Sequence, residues 1–370
     1  MKDDQLIRQP VRILYVGMTY DYGRPDRGFS YEYVNFLDTL RRMPALEVEH
    51  FPVDVHLRSE GRRGMNDALL RAVTGFKPAL CFFVLFTDEI ASATIKRISD
   101  IGGVTTLNWF GDDHWRFLPF SRHFAPSLHW VVTTDSAAVP KYHALGCRRV
   151  VKSQWGFNHH LMRRPGVREE FDVTFIGQVH SRRREIVEGL RGAGIDVRCW
   201  GRGWENGRLA QDEMVSMYGR SRINLNFTES SVVAGWKPLA KVFANRRADD
   251  SVQLNGPGLM IDNARSLVTA RRPQIKGRNF EIPGAGGFLL TSHADNLEEY
   301  FIPGEEVALF SSREHLAAQI RHYLARPDER ERIRAAGHAR AMREHTYERR
   351  FIDIFSAIGV RMANASGTTR

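Results

Sequence analysis

The sequence predicts an α/β protein built from two Rossmann-like, doubly wound domains. Over residues 11–157, short β-branched apolar runs alternate with segments of helical periodicity, separated by Gly and Pro. The alternation stops at a polar, basic, proline-containing stretch and restarts at DVTFIGQ, residues 172–178. The chain has 370 residues and is 42% hydrophobic. That is enough for two cores, since single cores rarely grow past about 250–300 residues.

The expected first domain is 1–157. VRILYVGM (11–18) is a buried parallel strand that ends on a glycine. A loop, TYDYGRPDRGFS, leads to a helix carrying Tyr33, Phe36, Leu37 and Leu40 on one face. LEVEHFPVD is a strand, and MNDALLRAVTGFKP is a helix closed by Gly75 and Pro78. ALCFFVLF, VTTLNWF, WVVTTD and VVKSQWG are four further strands. DEIASATIKRISDIG and SAAVPKYHALGC supply helices among them.

Residues 158–171 read as a linker, and His159 and His160 as ordinary linker residues. The expected second domain is 172–345. Its strands are DVTFIGQ, DVRCWG, INLNFT and GFLLTS. Its helices are SRRREIVEGLRGAG, AQDEMVSMYGRS, REHLAAQIRHYLARP and DERERIRAAGHARAMREH, with an irregular stretch over 229–266. Residues 346–370 form a last helix and tail, free to cross back to the first domain. Ligands of open parallel sheets bind beyond the carboxyl ends of the strands, so the expected site is a cleft that the two domains face.

No stretch approaches the roughly 20 apolar residues of a spanning helix. The N-terminus is too acidic at its front, and its apolar run too short, for a signal peptide, which predicts a cytoplasmic protein. Cys81, Cys147 and Cys199 are far apart and have no metal or redox spacing. The formal net charge is +10, much of it clustered Arg. Such a chain is drawn to phosphorylated small molecules, anionic lipid or nucleic acid. Walker, nucleophile-elbow, CxxC and nucleic-acid-binding motifs are absent from the sequence.

Four stretches carry candidate chemistry. KGRNFEIPGAGGFLLTSH (276–293) puts Lys276, Arg278 and Glu281 on a short helical segment ended by Pro283 and Gly284. Cations suit phosphate oxygens, and a carboxylate suits the vicinal hydroxyls of a ribose. Gly286 and Gly287 would let the backbone approach a ligand, so the stretch reads as the floor of a nucleotide-diphosphate pocket, or as a capped surface helix with an Arg–Glu pair. FIGQVHSRRRE ends a strand at Gly177 and opens a helix with Ser181 as N-cap, which points Gly177, Gln178 and Arg182 at a phosphate, or at solvent. NWFGDDHWRF sets Asp112, Asp113 and His114 in an aromatic frame suited to a sugar, or else holds an Asp helix cap and packing Trp residues. Three consecutive ligands converge poorly on one ion, so no metal is expected there. Asp21, Arg24 and Arg27, after the first strand, would touch acceptor or diphosphate, or form a solvated turn. CWGRGW (199–204) reads as packing.

The stretch from QIKGRNFEIPGAGGFLLTSH to EHTYERRF, about 274–351, resembles the C-terminal domain of CgeB-like glycosyltransferases. These belong with the GT-B nucleotide-sugar transferases, on the side related to family 4 (group 1). The likeness is fainter through LNWFGDDHWRF and WVVTTD. It implies an N-terminal acceptor domain and a C-terminal donor domain, with retaining transfer of a sugar to a hydroxyl of a glycan, surface polymer or protein. It also implies no metal or other cofactor. Glu281 matches the second of two family glutamates, the one expected on the ribose, and Lys276 and Arg278 would meet the diphosphate. Pro273 stands where the first glutamate belongs, which opens the choice of sugar and the anomeric outcome. Asp112, Asp113 or His114 would take the acceptor proton. The positive charge would suit an anionic acceptor. The alternatives are a transferase acting on hydroxylated bases of DNA and a non-catalytic nucleotide-sugar-binding or coat-assembly protein.

Overall fold

The computed structural model describes residues 9–228, 236–248 and 251–362. The chain forms two compact units. The first combines Met1–Gln154, Leu239–Thr269 and Arg350–Arg370; the second combines Trp155–Pro238 and Ala270–Arg349.

Unit 1 is built on six parallel strands: β1 (Val11–Gly17), β2 (Leu46–Pro52), β3 (Leu80–Phe83), β4 (Thr105–Phe110), β5 (Trp130–Thr133) and β6 (Val150–Lys152). Their spatial order is β2-β1-β3-β4-β5-β6. The switch point lies where β1 sits between β2 and β3, which is where such sheets receive ligands. Apolar residues of β1, β3 and β4 are almost entirely withdrawn from solvent, as a sheet covered on both faces requires.

Two stretches differ from the sequence reading. The helix after β2 runs over Val53–Phe76, twelve residues earlier than its apolar periodicity suggests, and breaks at Gly61, where φ is 66°. Its first half is charged and glycine-containing, so it carries little hydrophobic signal. Between β4 and β5 the chain forms a short helix, Asp113–Arg116, continued by a π-helical turn, Phe117–Ser121.

Unit 2 opens with β7 (Phe171–Ile176), β8 (Val197–Trp200) and β9 (Ser221–Asn226). The chain then contributes Leu239–Thr269 to unit 1 as a helix end, a two-stranded antiparallel pair, β10 (Ala244–Arg246) and β11 (Val252–Leu254), and a helix, Pro257–Thr269. The expected irregular stretch is therefore largely regular. It is joined to the rest of unit 1 by polar ties: Arg122 to buried Asp262, and the Arg247 side chain and Ala248 N–H to Asp88 at 3.0 and 3.1 Å. The part of that stretch over 229–235 lies outside the described residues. Strands β12 (Leu289–Ser292) and β13 (Ala308–Phe310) complete a parallel sheet of order β13-β12-β9-β7-β8.

The stretch read as a linker is built in. Phe157 and Asn158 are fully buried, and Phe157 exchanges backbone hydrogen bonds with His345 and Tyr347 at 3.2 and 3.0 Å. Gly156 makes this possible, since a Cβ there would lie 2.7 Å from the His345 carbonyl oxygen. The last helix, Tyr347–Ala357, follows. Within unit 1, buried Phe351 meets the edges of Phe36, Phe82 and Trp109 at centroid distances of 5.6, 5.7 and 6.4 Å. Among the described residues no helix is long and apolar enough to cross a membrane.

Candidate functional site

In unit 2 the chemistry gathers at the carboxyl end of β7. The strand ends at Ile176, and helix Ser181–Gly192 begins five residues later. The turn between them is clamped by its neighbours: Gly177 N–H donates to the Trp200 carbonyl at 2.8 Å, and the Trp204 indole donates to the Gly177 carbonyl at 2.9 Å. Gly201 has φ 129°, and a Cβ there would lie 2.2 Å from that same carbonyl oxygen. CWGRGW is thus the brace of the β7 turn.

The residue before the helix is His180, in extended conformation and without a capping side-chain bond, so Ser181 is the first helical residue and not the N-cap. Neither ring nitrogen of His180 has a partner among the described residues, although both are buried. Burial, then Arg183 and Arg182, push its pKa down to about 4. A neutral imidazole therefore offers an N–H at the positive end of a helix, and the two together attract an oxyanion. Arg183 folds back to donate to the Gln178 carbonyl at 2.9 Å, while Gln178 and Arg182 are exposed.

The short helix Arg278–Gly284 closes on the same strand end, with the Arg278 Nε donating to the Ile176 carbonyl at 3.5 Å. Arg278 also pairs with Glu281, which is only 1% exposed. The Lys276 N–H donates to the Asn279 side chain at 2.9 Å, and buried Asn279 is tied in turn to Asn226 and Thr291. Tyr218 lies fully buried beside the pair, and burial together with Glu281 raises its hydroxyl pKa.

In unit 1 a second polar group forms beyond β1 and β4. Buried Asp54 accepts the N–H groups of Thr19 and Tyr20 at 2.9 and 3.0 Å and so shapes the loop after β1. Asp21 lies 4.0 Å from Arg27 in that loop, and Tyr22 between them has φ 54°. Glu32 follows on the next turn. Burial, with the charges of Asp112 and Asp21 adding to it, raises its pKa to about 7. The phenol of Tyr15, fully buried and with no hydrogen-bond partner among the described residues, lies near enough for the Glu32 charge to add to the rise in pKa that burial causes. Arg116 stacks 4.0 Å over Phe120, and the charge of Asp112 partly offsets the effect of its burial.

Residues 182–356 match a family model described as glycosyl transferase-like. No curated protein matches the sequence. Among solved structures, sucrose-phosphate synthase from Thermosynechococcus elongatus is 10% identical with a TM-score of 0.59, over 94% of this chain and 97% of that one. Anabaena Alr3699/HepE, solved in complex with UDP and glucose, is 12% identical with a TM-score of 0.55, over 94% and 98%. A DNA-modifying β-glucosyltransferase, solved with and without uridine diphosphoglucose, is 13% identical with a TM-score of 0.54, over 94% and 100%. The fold is that of the GT-B glycosyltransferases.

Within this GT-B fold the structure gathers some of the sequence-predicted residues and separates others from solvent. Gly177, Gln178 and Arg278 lie at the end of β7, and Arg182 is exposed on the first turn of the helix that follows. Glu281 does not face solvent, because Arg278 and Tyr218 enclose it. Gly286, with φ 74°, and Gly287 are explained by packing: a Cβ would lie 2.8 Å from the Arg164 side chain at the first and 2.9 Å from Asn224 at the second. Asp113 is fully buried, and its carboxylate accepts hydrogen bonds from Thr133 and Tyr142 at 2.6 and 2.8 Å. It joins its short helix to β5 and to the helix that follows it; His114 beside it is also buried. Asp112 alone of that triplet keeps partial exposure, alongside Asp21 and Arg27, whereas Arg24 is spent on a surface pair with Asp26 at 3.1 Å.

Sequence reasoning missed Glu32, His180 and Tyr15. SYEY and QVHS look like an ordinary helix start and an ordinary turn. Only the fold shows that the first carboxyl is crowded by others and that the imidazole has no hydrogen-bond partner among the described residues.

Proposed function

We propose that the chain transfers a sugar from a UDP-sugar to a hydroxyl-bearing acceptor, in the manner of CgeB-like glycosyltransferases and without a metal cofactor. The observation that carries this reading is the end of β7, where Arg278 reaches the last strand carbonyl and a helix begins beside His180, whose ring nitrogens have no hydrogen-bond partner among the described residues. Diphosphate is the anion that such an arrangement suits. The glycosyl transferase-like match over 182–356 and the UDP-bound structural neighbours support the choice of donor. Protein cations and N–H donors at the leaving group do the work that a divalent ion does elsewhere.

Unit 1 supplies the acceptor side. Glu32, with a pKa near neutrality, takes the acceptor hydroxyl proton, and Asp112 and Asp21 raise its basicity. The acceptor oxygen bonds to the anomeric carbon, and the bond from that carbon to the diphosphate breaks. UDP leaves with the electron pair. A base held by the protein suits direct displacement, and Pro273 removes one glutamate of the retaining pattern. Inversion is therefore the reading we favour over the retention implied by sequence resemblance. Incubation with α-linked UDP-sugars and EDTA, followed by UDP release and proton NMR of the product, tests it. A β-linked product made in EDTA supports it; an α-linked product or a requirement for added magnesium or manganese refutes it.

The net charge of +10 favours DNA as a second class of acceptor. Binding to duplex DNA that weakens steeply with salt would support that acceptor.

A further inference from the structure

His159, His160 and Glu348 play no part in sugar transfer, yet one ligand atom from each lies within 4.8 Å of the others. His159 Nε2 is 3.4 Å and His160 Nε2 3.9 Å from the same carboxylate oxygen, Glu348 Oε2. Four ligands about 2.0–2.1 Å from a zinc ion stand roughly 3.3 Å apart, so the first distance already has the required length and the second needs a small rotation. The two imidazoles face the same way, with ring centroids 3.9 Å apart and planes inclined by 39°.

Consecutive residues rarely point together; here the backbone arranges it. Asn158 is fully buried and its side-chain oxygen accepts the His160 N–H at 3.1 Å, a tight local turn that brings both rings to one side. Glu348 is delivered by the first turn of helix Tyr347–Ala357, fixed by the hydrogen bond from Tyr347 N–H to the Phe157 carbonyl.

The environment of the rings also bears on a ligand. Among the described residues, His159 Nδ1 and His160 Nε2 are buried without hydrogen-bond partners. Nearby Arg163 opposes a cation, and Glu348 offsets it.

We infer that His159, His160 and Glu348 form a binding site for a divalent transition metal such as zinc, with water completing the shell. Two imidazoles and a carboxylate are a borderline set that selects zinc, cobalt or nickel over magnesium and calcium. Its role is structural. It would fasten residues 158–160 to the start of the last helix, within a few residues of the points where the chain enters and leaves unit 2.

Untagged protein, stripped with chelator and desalted, is titrated with cobalt(II) and followed by visible absorption, with zinc competition and thermal unfolding alongside. The expected result is one saturating equivalent of cobalt, displaced by zinc, with a rise in unfolding temperature. His160→Asn and Glu348→Gln each weaken binding tenfold or more, with apo unfolding temperatures close to wild type; His123→Asn, in unit 1, binds as wild type does. Absence of a one-equivalent site, or equal binding by the His160→Asn and Glu348→Gln variants, overturns the inference. If either variant unfolds early, His159→Gln replaces it and is judged by the same tenfold criterion.

Discussion

Replacing Glu32 by Gln removes the proton acceptor while keeping the shape and the hydrogen-bonding capacity of the side chain. Its magnitude follows from the environment of the carboxyl. Burial and the charges of Asp112 and Asp21 bring its pKa to about 7. Such a group is about one-tenth ionised at pH 6 and about nine-tenths ionised at pH 8, so kcat/KM should rise about tenfold between them. The Gln variant should lose about 10²- to 10⁴-fold in kcat/KM, the usual contribution of a positioned base, together with that pH dependence. UDP affinity should not change, because the donor residues are on unit 2. Stability moves in the opposite sense to activity. Between the ordinary carboxyl value and about 7 the folded state holds a proton that the unfolded chain has released, so stability falls as pH rises through that window. The Gln variant should lack this fall. The assay is UDP release at saturating donor from pH 5.5 to 8.5, with urea unfolding at the two ends. A Gln variant that keeps the wild-type rate and the same pH profile would refute the role of Glu32.

Other residues give contrasting outcomes. Asp113→Ala leaves the Thr133 and Tyr142 hydroxyls without their acceptor; at about 1–3 kcal/mol for each buried group left unsatisfied, it should be clearly destabilised while UDP binding persists. A normal urea midpoint with lost activity would instead return Asp113 to the catalytic group. Phe351→Ala empties the centre of the Phe36, Phe82 and Trp109 cluster and should cost about 3–5 kcal/mol in urea unfolding. A cost below about 1 kcal/mol would mean that the helix end is not part of the unit 1 core.

The parallel strands were legible because each buried strand is a short apolar run bounded by Gly or Pro. VRILYVGM and ALCFFVLF are strands for the same reason that they are buried on both faces. The helix over Val53–Gly64 was not legible, since HLRSEGRRG has no apolar stripe and Gly61 interrupts it. Nor was the allegiance of Leu239–Thr269 to unit 1. It depends on Arg122 meeting Asp262 and on Arg247 and Ala248 meeting Asp88, pairs more than a hundred residues apart. The candidate site divides in the same way. Gly177, Arg182 and Arg278 were visible as cations and a glycine around a strand end. Residue type alone placed Asp113 with Asp112, although one is in the core and the other beside Glu32. Glycines 286 and 287 looked like ligand contacts because a glycine that makes room for Arg164 or Asn224 is spelled the same way. His180 and Glu32 stand out only through partners lacking or crowding, which no local pattern encodes.

Thermal stabilisation by nucleoside diphosphates, in EDTA, tests the central claim most directly. UDP at about 100 times its dissociation constant should stabilise the wild type by about 2.7 kcal/mol. His180→Ala, with its unfolding temperature otherwise unchanged, should need at least tenfold more UDP for the same shift. If UDP, GDP, ADP, TDP and CDP all fail to stabilise the wild type, the end of β7 is not a diphosphate site and sugar transfer by this chain is contradicted.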